Sequence, residues 1–184
     1  MQYLSILRGI NVGGHNKIKM TDLQACYTEL GFTHVRSYIQ SGNVLFHSDR
    51  LDRKTLITNI EHSIQQHAGF SVPVQLLTLT QLQKIMSDNP FDDINLQQQG
   101  ANVLVTVFDA TPSPSAVKAL LDHVRAPERC VIKDSWAYLY CPNGYGRSKL
   151  NNTFFESKLA LTATTRNWKT LTKLLSLASE TTNH

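Results

Sequence analysis

Twice along this chain a short apolar run leads into a capped helical stretch, then into two strand-length runs joined by a turn. This βαββ recurrence constrains the fold more than any other feature. Strand and helix bury faces of different period, two and 3.6, so one cannot replace the other without exposing its apolar residues. In the first pass residues 3–7 read as a buried strand. Thr21-Asp22-Leu23-Gln24 reads as a capping box opening a helix, with Leu23, Tyr27 and Leu30 on one face and Gly31 as its stop. Residues 35–39 and 44–46 are strands joined through Ser41-Gly42-Asn43, a hairpin signal. Asp52 caps a second helix carrying Ile57, Ile60 and Ile64, which Gly69 closes. Residues 72–79 form a further strand, and Pro73 within it, lacking a ladder donor, places it at a sheet edge. Thr80-Gln81-Leu82-Gln83 opens one more short helix, ended by Pro90.

The second pass begins after a polar stretch that includes three consecutive glutamines. Residues 102–108 are a strand, and Ser113-Pro114 caps a helix with Val117, Leu120, Leu121 and Val124 inward. Two strands, 129–133 and 136–140, pair across Asp134-Ser135. The pattern then departs from the first half. Residues 149–159 read as helical, and 166–179 as a terminal helix burying Trp168, Leu171, Leu174, Leu175 and Ala178, with Thr165 as its N-cap. The expected fold is α+β, with two ferredoxin-like, pseudo-duplicated halves (βαββαβ and βαββα) built on antiparallel sheets. The halves span 1–90 and 101–184, with a linker at 91–100.

Apolar residues make up 41% of the chain and charged ones 17%, a balance that buries a core and excludes a disordered chain. No apolar run approaches the roughly 20 residues that span a bilayer, and the start carries no signal-peptide pattern. Cys26, Cys130 and Cys141 are odd in number and form no Cys-x-x-Cys pair, which points to reduced thiols in a cytoplasm. The net charge of +4 is unevenly placed. Residues 1–20 hold Arg8, Lys17 and Lys19 with no acid. Residues 141–178 hold Arg147, Lys149, Lys158, Arg166, Lys169 and Lys173 against Glu156 alone. Brought together in space, these segments would make a focused positive surface; kept apart, they are two solvated faces.

Five of the nine glycines lie in two loops within those segments. The first, Arg8-Gly9-Ile10-Asn11-Val12-Gly13-Gly14-His15-Asn16-Lys17, leaves a strand and leads to a helix, a context in which backbone amides hold anions. Gly9 to Gly14 has the Walker spacing, but His15-Asn16 follows where Lys-Ser/Thr is required, so no nucleotide fingerprint is present. The second, Asn143-Gly144-Tyr145-Gly146-Arg147-Ser148-Lys149-Leu150-Asn151-Asn152, repeats the strand–loop–helix context. Its Tyr145-x-x-x-Lys149 spacing matches a short-chain dehydrogenase pair, yet no dinucleotide motif or parallel sheet accompanies it. Arg offers bidentate contacts to phosphate and Lys a point charge. A third cluster is Thr162-Ala163-Thr164-Thr165-Arg166-Asn167.

Arg8-Gly9-Ile10-Asn11-Val12-Gly13-Gly14, Ser41-Gly42-Asn43, Tyr145-Gly146-Arg147-Ser148-Lys149-Leu150 and Thr164-Thr165-Arg166-Asn167-Trp168 together resemble the family called domain of unknown function 1697, along essentially the whole chain. The resemblance implies a bacterial-type cytoplasmic protein of two ferredoxin-like halves and brings no established activity or catalytic residue.

The candidate ligand-binding set is therefore Arg8, Asn11, Gly13, Gly14, Asn16, Lys17, Ser41, Asn43, Tyr145, Gly146, Arg147, Ser148, Lys149, Thr165, Arg166 and Asn167. The expected partner is a phosphorylated small molecule or a nucleic acid, with no membrane, no metal and no cofactor. Glu61, His62 and His67 lack metal-ligand spacing and read as solvent-facing. The signature of an RNA-recognition sheet is missing. The rival reading is an enzyme acting on a phosphorylated or amide-containing small molecule, with Lys149, Tyr145, Ser148 and Glu156 supplying acid, base or nucleophile. A protein-interaction module would instead need an exposed apolar patch.

Overall fold

The computed structural model describes residues 1–49 and 52–180. It divides into two compact units, one comprising Met1–Lys84 with the residues from Leu174 onward, the other Ile85–Lys173. The first contains β1 (Gln2–Leu7), α1 (Met20–Glu29), β2 (Thr33–Tyr38), β3 (Asn43–His47), α2 (Arg53–Ala68) and β4 (Val74–Thr78), followed by α3 (Leu79–Ser87). Then come α4 (Leu96–Gln99), β5 (Val103–Phe108), α5 (Pro114–Leu121), β6 (Arg129–Lys133) and β7 (Trp136–Tyr140). A 3₁₀ turn at Tyr145–Arg147, α6 (Asn152–Leu159), β8 (Ala163–Asn167) and α7 (Trp168–Glu180) complete the described residues.

Each unit has a four-stranded antiparallel sheet, ordered β2-β3-β1-β4 and β6-β7-β5-β8. The two orders are the same once each unit's strands are counted from its own first, so the duplication extends to topology. β4 lies at an edge as expected, but it runs only Val74–Thr78, so Pro73 precedes the strand instead of lying within it. The first core joins Tyr3, Leu7, Val44 and Phe46 of the sheet to Leu23, Tyr27, Leu56, Ile60 and Ile64 of α1 and α2. Tyr27 is fully buried, so its phenol needs a partner, and Ser5 Oγ supplies one at 2.6 Å. Burial pushes the Tyr27 hydroxyl well above its ordinary pKa. The second core joins Leu104, Phe108, Ala137 and Leu139 to Leu120, Phe155 and Leu159 of α5 and α6.

Several local expectations hold. Asp52 accepts the Thr55 amide at 2.9 Å, Gly69 ends α2 at φ +77°, and Ser113 accepts the Ala116 amide with Pro114 behind it. Others are corrected. The second half does not stop at βαββα, because residues 163–167 form β8 and pair with β5, Thr106 opposite Thr165. Thr165 is thus a strand residue; Asn167 does the capping, its Oδ1 accepting the Thr170 amide at 2.8 Å. α1 starts at Met20 behind Lys19 with no side-chain cap, and Thr21 Oγ1 donates to Asp22 instead. The box that opens α3 is Thr78 with Gln81: each side chain accepts the other's amide, at 3.1 and 2.9 Å. α6 starts at Asn152, with Asn151 accepting the Phe154 amide, rather than at 149. Leu121, expected inward, is 37% exposed, and Leu175 is half-buried. Residues 91–100 carry a buried Phe91, the short helix α4 and an Asp93–Arg129 ion pair at 2.8 Å. Among the described residues no helix is long and apolar enough to cross a membrane.

Candidate functional site

The loop between β1 and α1 is a miniature hairpin. Val12 and His15 form a bridge, the His15 amide donates to the Val12 carbonyl at 3.0 Å, and the Asn11 amide donates to Asn16 at 3.1 Å. Gly13 and Gly14 occupy the two corners at φ +58° and +80°, the pair of left-handed residues that a type I′ turn requires. The glycines therefore shape a turn. Asn16 Nδ2 donates to the Gly9 carbonyl at 3.1 Å, tying the hairpin base. Asn11 is occupied as well: Nδ2 donates to Ile18 and Gln40 carbonyls, both at 3.0 Å, and Oδ1 accepts the Ile18 amide at 2.9 Å.

The hairpin is clamped onto the β2–β3 turn. The Leu7 amide donates to the Gly42 carbonyl at 2.8 Å, and Ile10 packs where a side chain at residue 42 would lie. Asn43 is buried and its Nδ2 donates to Tyr38 O and Ser41 Oγ, both at 3.0 Å, so Ser41 and Asn43 hold the turn itself. Arg8 is half-buried and donates its amide to the Pro73 carbonyl. Beside this construction opens a cleft of about 670 Å³, lined by Asn11, Gly14, Lys17, Lys19, Gln40 and His67 among others. Lys17 and Lys19 are exposed. Among the described residues Asp22 is the one carboxylate on the wall. His67, read from sequence only as solvent-facing, enters because the end of α2 comes back to this loop. No local spacing signals that return.

In the second unit, Gly144 at φ +90° turns the chain after β7, and its amide donates to Cys141 O at 3.0 Å. Tyr145, Gly146 and Arg147 make the 3₁₀ turn, closed by the Ser148 amide on Tyr145 O. Ser148 is buried and its Oγ accepts the Leu150 amide at 2.9 Å. It also hydrogen-bonds the Cys141 thiol, which burial pushes above its usual pKa. Tyr145 packs against the core. Gly146, Arg147 and Lys149 are exposed.

Thr165, Arg166 and Asn167 sit on β8. Thr165 Oγ1 donates to Asn152 Oδ1 at 2.7 Å and meets Thr106 Oγ1 at 2.8 Å. Arg166 Nη1 donates to the Thr165 carbonyl at 2.9 Å. Desolvation pulls the Arg166 guanidinium down to about 10, opposed by the nearby Tyr145 hydroxyl, so the group stays cationic at neutral pH. Glu156 Oε1 accepts the Ala163 amide at 3.1 Å and thereby steers the chain into β8. Among the described residues no group of three or more His, Cys, Asp or Glu could hold a metal ion.

Two ferredoxin-like units of one topology, each with a glycine-turned loop exposing basic side chains, define a duplicated α+β protein. The chain belongs to the family described as protein of unknown function (DUF1697), whose sequence model matches residues 1–138. That match ends before the Tyr145–Arg147 turn and before β8. A solved structure, that of the conserved bacterial protein SP0830 from Streptococcus pneumoniae, is similar over nearly the whole length. It shares 25% identity at a TM-score of 0.74, covering 96% of this chain and 98% of the other. No curated protein matches.

Proposed function

We propose that this chain binds a phosphate-bearing ligand, a nucleotide or nucleic acid, with the cleft beside the first hairpin as the phosphate site. The observation that carries this reading is the placement of Lys17, Lys19 and His67 around one cleft whose polar wall, Asn11 and Gln40, is held by hydrogen bonds. Its volume of about 670 Å³ falls within the roughly 300–1,000 Å³ of small-molecule sites. Recognition here draws on lysine charge, since the His15 amide is already bonded within the hairpin. Arg147 and Lys149 form a second exposed basic pair in the other unit. The enzyme reading is weakened because Glu156 supports β8, Ser148 closes its own loop and Tyr145 packs on the core.

The test is a thermal-shift titration with inorganic pyrophosphate, ATP and a short oligonucleotide. A ligand that binds only the folded state raises Tm as its concentration passes Kd. The rise should vanish in the Lys17→Ala/Lys19→Ala double variant. A rise of parental size in that variant would sink the reading.

A further inference from the structure

Two exposed aliphatic residues, Val12 and Ile39, are chain neighbours of Asn11 and Gln40 in the lining of this cleft, and one is held in a conformation its residue type avoids. Ile39 is 48% exposed at φ +51°, the left-handed region that a β-branched residue seldom occupies. The carbonyls on either side of it are each gripped by an asparagine: Asn43 Nδ2 holds Tyr38 O and Asn11 Nδ2 holds Gln40 O, both at 3.0 Å. Strain of this kind persists only where neighbouring structure over-determines it, and it gathers at ligand sites. Val12, the residue after Asn11, is 62% exposed and begins the type I′ turn. Asn11 and Gln40 line the cleft. Their chain neighbours Val12 and Ile39 thus flank one hydrogen bond, on two of the segments that line it.

We infer that Val12 and Ile39 pack against the faces of unpaired nucleobases while Lys17 and Lys19 take the neighbouring phosphates, so that the ligand is single-stranded nucleic acid. The inference rests on the phosphate reading above and names its substrate class. Charge complementarity sets the partner's sign: Arg8, Lys17 and Lys19 stand in a first segment of 20 residues without an acid. The two exposed aliphatic side chains set its second property. Inorganic phosphate or a phosphosugar offers nothing to cover two aliphatic side chains, whereas a base presents a flat apolar face. In a duplex those faces are stacked away; in a single strand they are open. A bilayer is disfavoured because surface binding draws on a broad amphipathic helix or an acyl chain, and two side chains on separate loops supply neither.

The experiment measures fluorescence anisotropy with a labelled, mixed-sequence single-stranded oligonucleotide of about 12 nucleotides. The same sequence as a duplex is run beside it, over about 50 to 200 mM salt. The Val12→Ser/Ile39→Asn double variant should bind the single strand at least about tenfold more weakly, with the salt slope unchanged, because base contacts release no counterions. Its Tm should not fall, since Asn tolerates the left-handed conformation. Val12→Ser alone changes an exposed side chain and should weaken binding in the same sense. Lys17→Ala and Lys19→Ala should each flatten the slope by about 0.7. Parental affinity in the aliphatic double variant, or duplex bound as tightly as single strand, would overturn the inference while a slope lost with the lysines keeps the phosphate reading. Preferential binding to phosphatidylserine vesicles would likewise overturn it. A slope untouched by the lysine changes would remove both readings.

Discussion

Asn11 Nδ2 donates to the Gln40 carbonyl at 3.0 Å, so one side chain closes the hairpin after β1 onto the turn between β2 and β3. The same amide group serves the Ile18 carbonyl, and its oxygen takes the Ile18 amide. Asn11→Ala removes all three bonds and places alanine at φ +53°. The expected loss is about 1–3 kcal/mol from partners left unmet and roughly 1–2 kcal/mol from the backbone. Urea unfolding checks it. A change within about 0.5 kcal/mol, the range of an ordinary surface substitution, would contradict this account of the loop.

Gly42 and Gly14 separate conformation from crowding. Both have φ near +80°, at +79° and +80°. A Cβ at residue 42 would lie 2.7 Å from Leu7 Cβ and 2.8 Å from Ile10 Cδ1, whereas one at residue 14 would meet nothing within 4 Å. Gly14→Ala should therefore cost only the backbone strain of about 1–2 kcal/mol. Gly42→Ala should cost about 1–3 kcal/mol more for overpacking. Equal losses in parallel denaturation curves would show that the two loops are not clamped at this point.

Trp168 opens α7 with 7% of its surface exposed, while Lys149 is exposed on its loop. Trp168→Ala should cost about 3–5 kcal/mol, as truncation of large core aromatics does. Lys149→Ala should stay within about 0.5 kcal/mol. A calorimetric comparison in which Lys149→Ala unfolds the protein as badly would make the second loop scaffolding.

The protein should lose stability in mild acid through His47. Burial first, then the His34 ring with its centroid 4.6 Å away and the Met1 ammonium, hold this imidazole below its ordinary pKa. A base depressed in the folded state binds its proton more readily when unfolded. Its neutral form therefore gives full stability above the unfolded value of about 6.5, and that share declines as pH falls below it. Tm should drop between about pH 7.5 and 5.5, and His47→Gln should flatten that drop. An unchanged profile in the variant would assign the acid sensitivity elsewhere.

Local signals carried much of this fold. The caps Asp52 and Ser113, the stop at Gly69, the edge strand after Pro73 and the turn at Asp134-Ser135 were legible because each depends on residues within a few positions. β8 was not. Residues 163–167 run into α7 without a Gly or Pro, and their threonines suit a cap as well as a strand. Only pairing with β5, more than 50 residues earlier, decides the matter. The first loop divides in the same way. Gly13 and Gly14 announce a left-handed backbone, but the closure of the loop on itself and on Gln40 does not follow from spacing. The candidate set was read from residue type, and the tertiary structure sorts it by work already done: Asn11, Asn16, Asn43, Ser148, Thr165 and Asn167 hydrogen-bond within their own units, while Lys17, Arg147 and Lys149 reach solvent.

What the sequence determined by itself was the βαββ order of each half, the main buried faces of its helices and those ends marked by a cap or a glycine stop, since periodicity and capping act over one or two turns. The tertiary structure alone decided how β1 and β5 pair with strands distant in sequence, that Gly42 has no room for a side chain, and how His67 comes beside the lysines of the first loop. These depend on contacts between residues far apart in the chain, whose energies exist only once the chain has closed on itself.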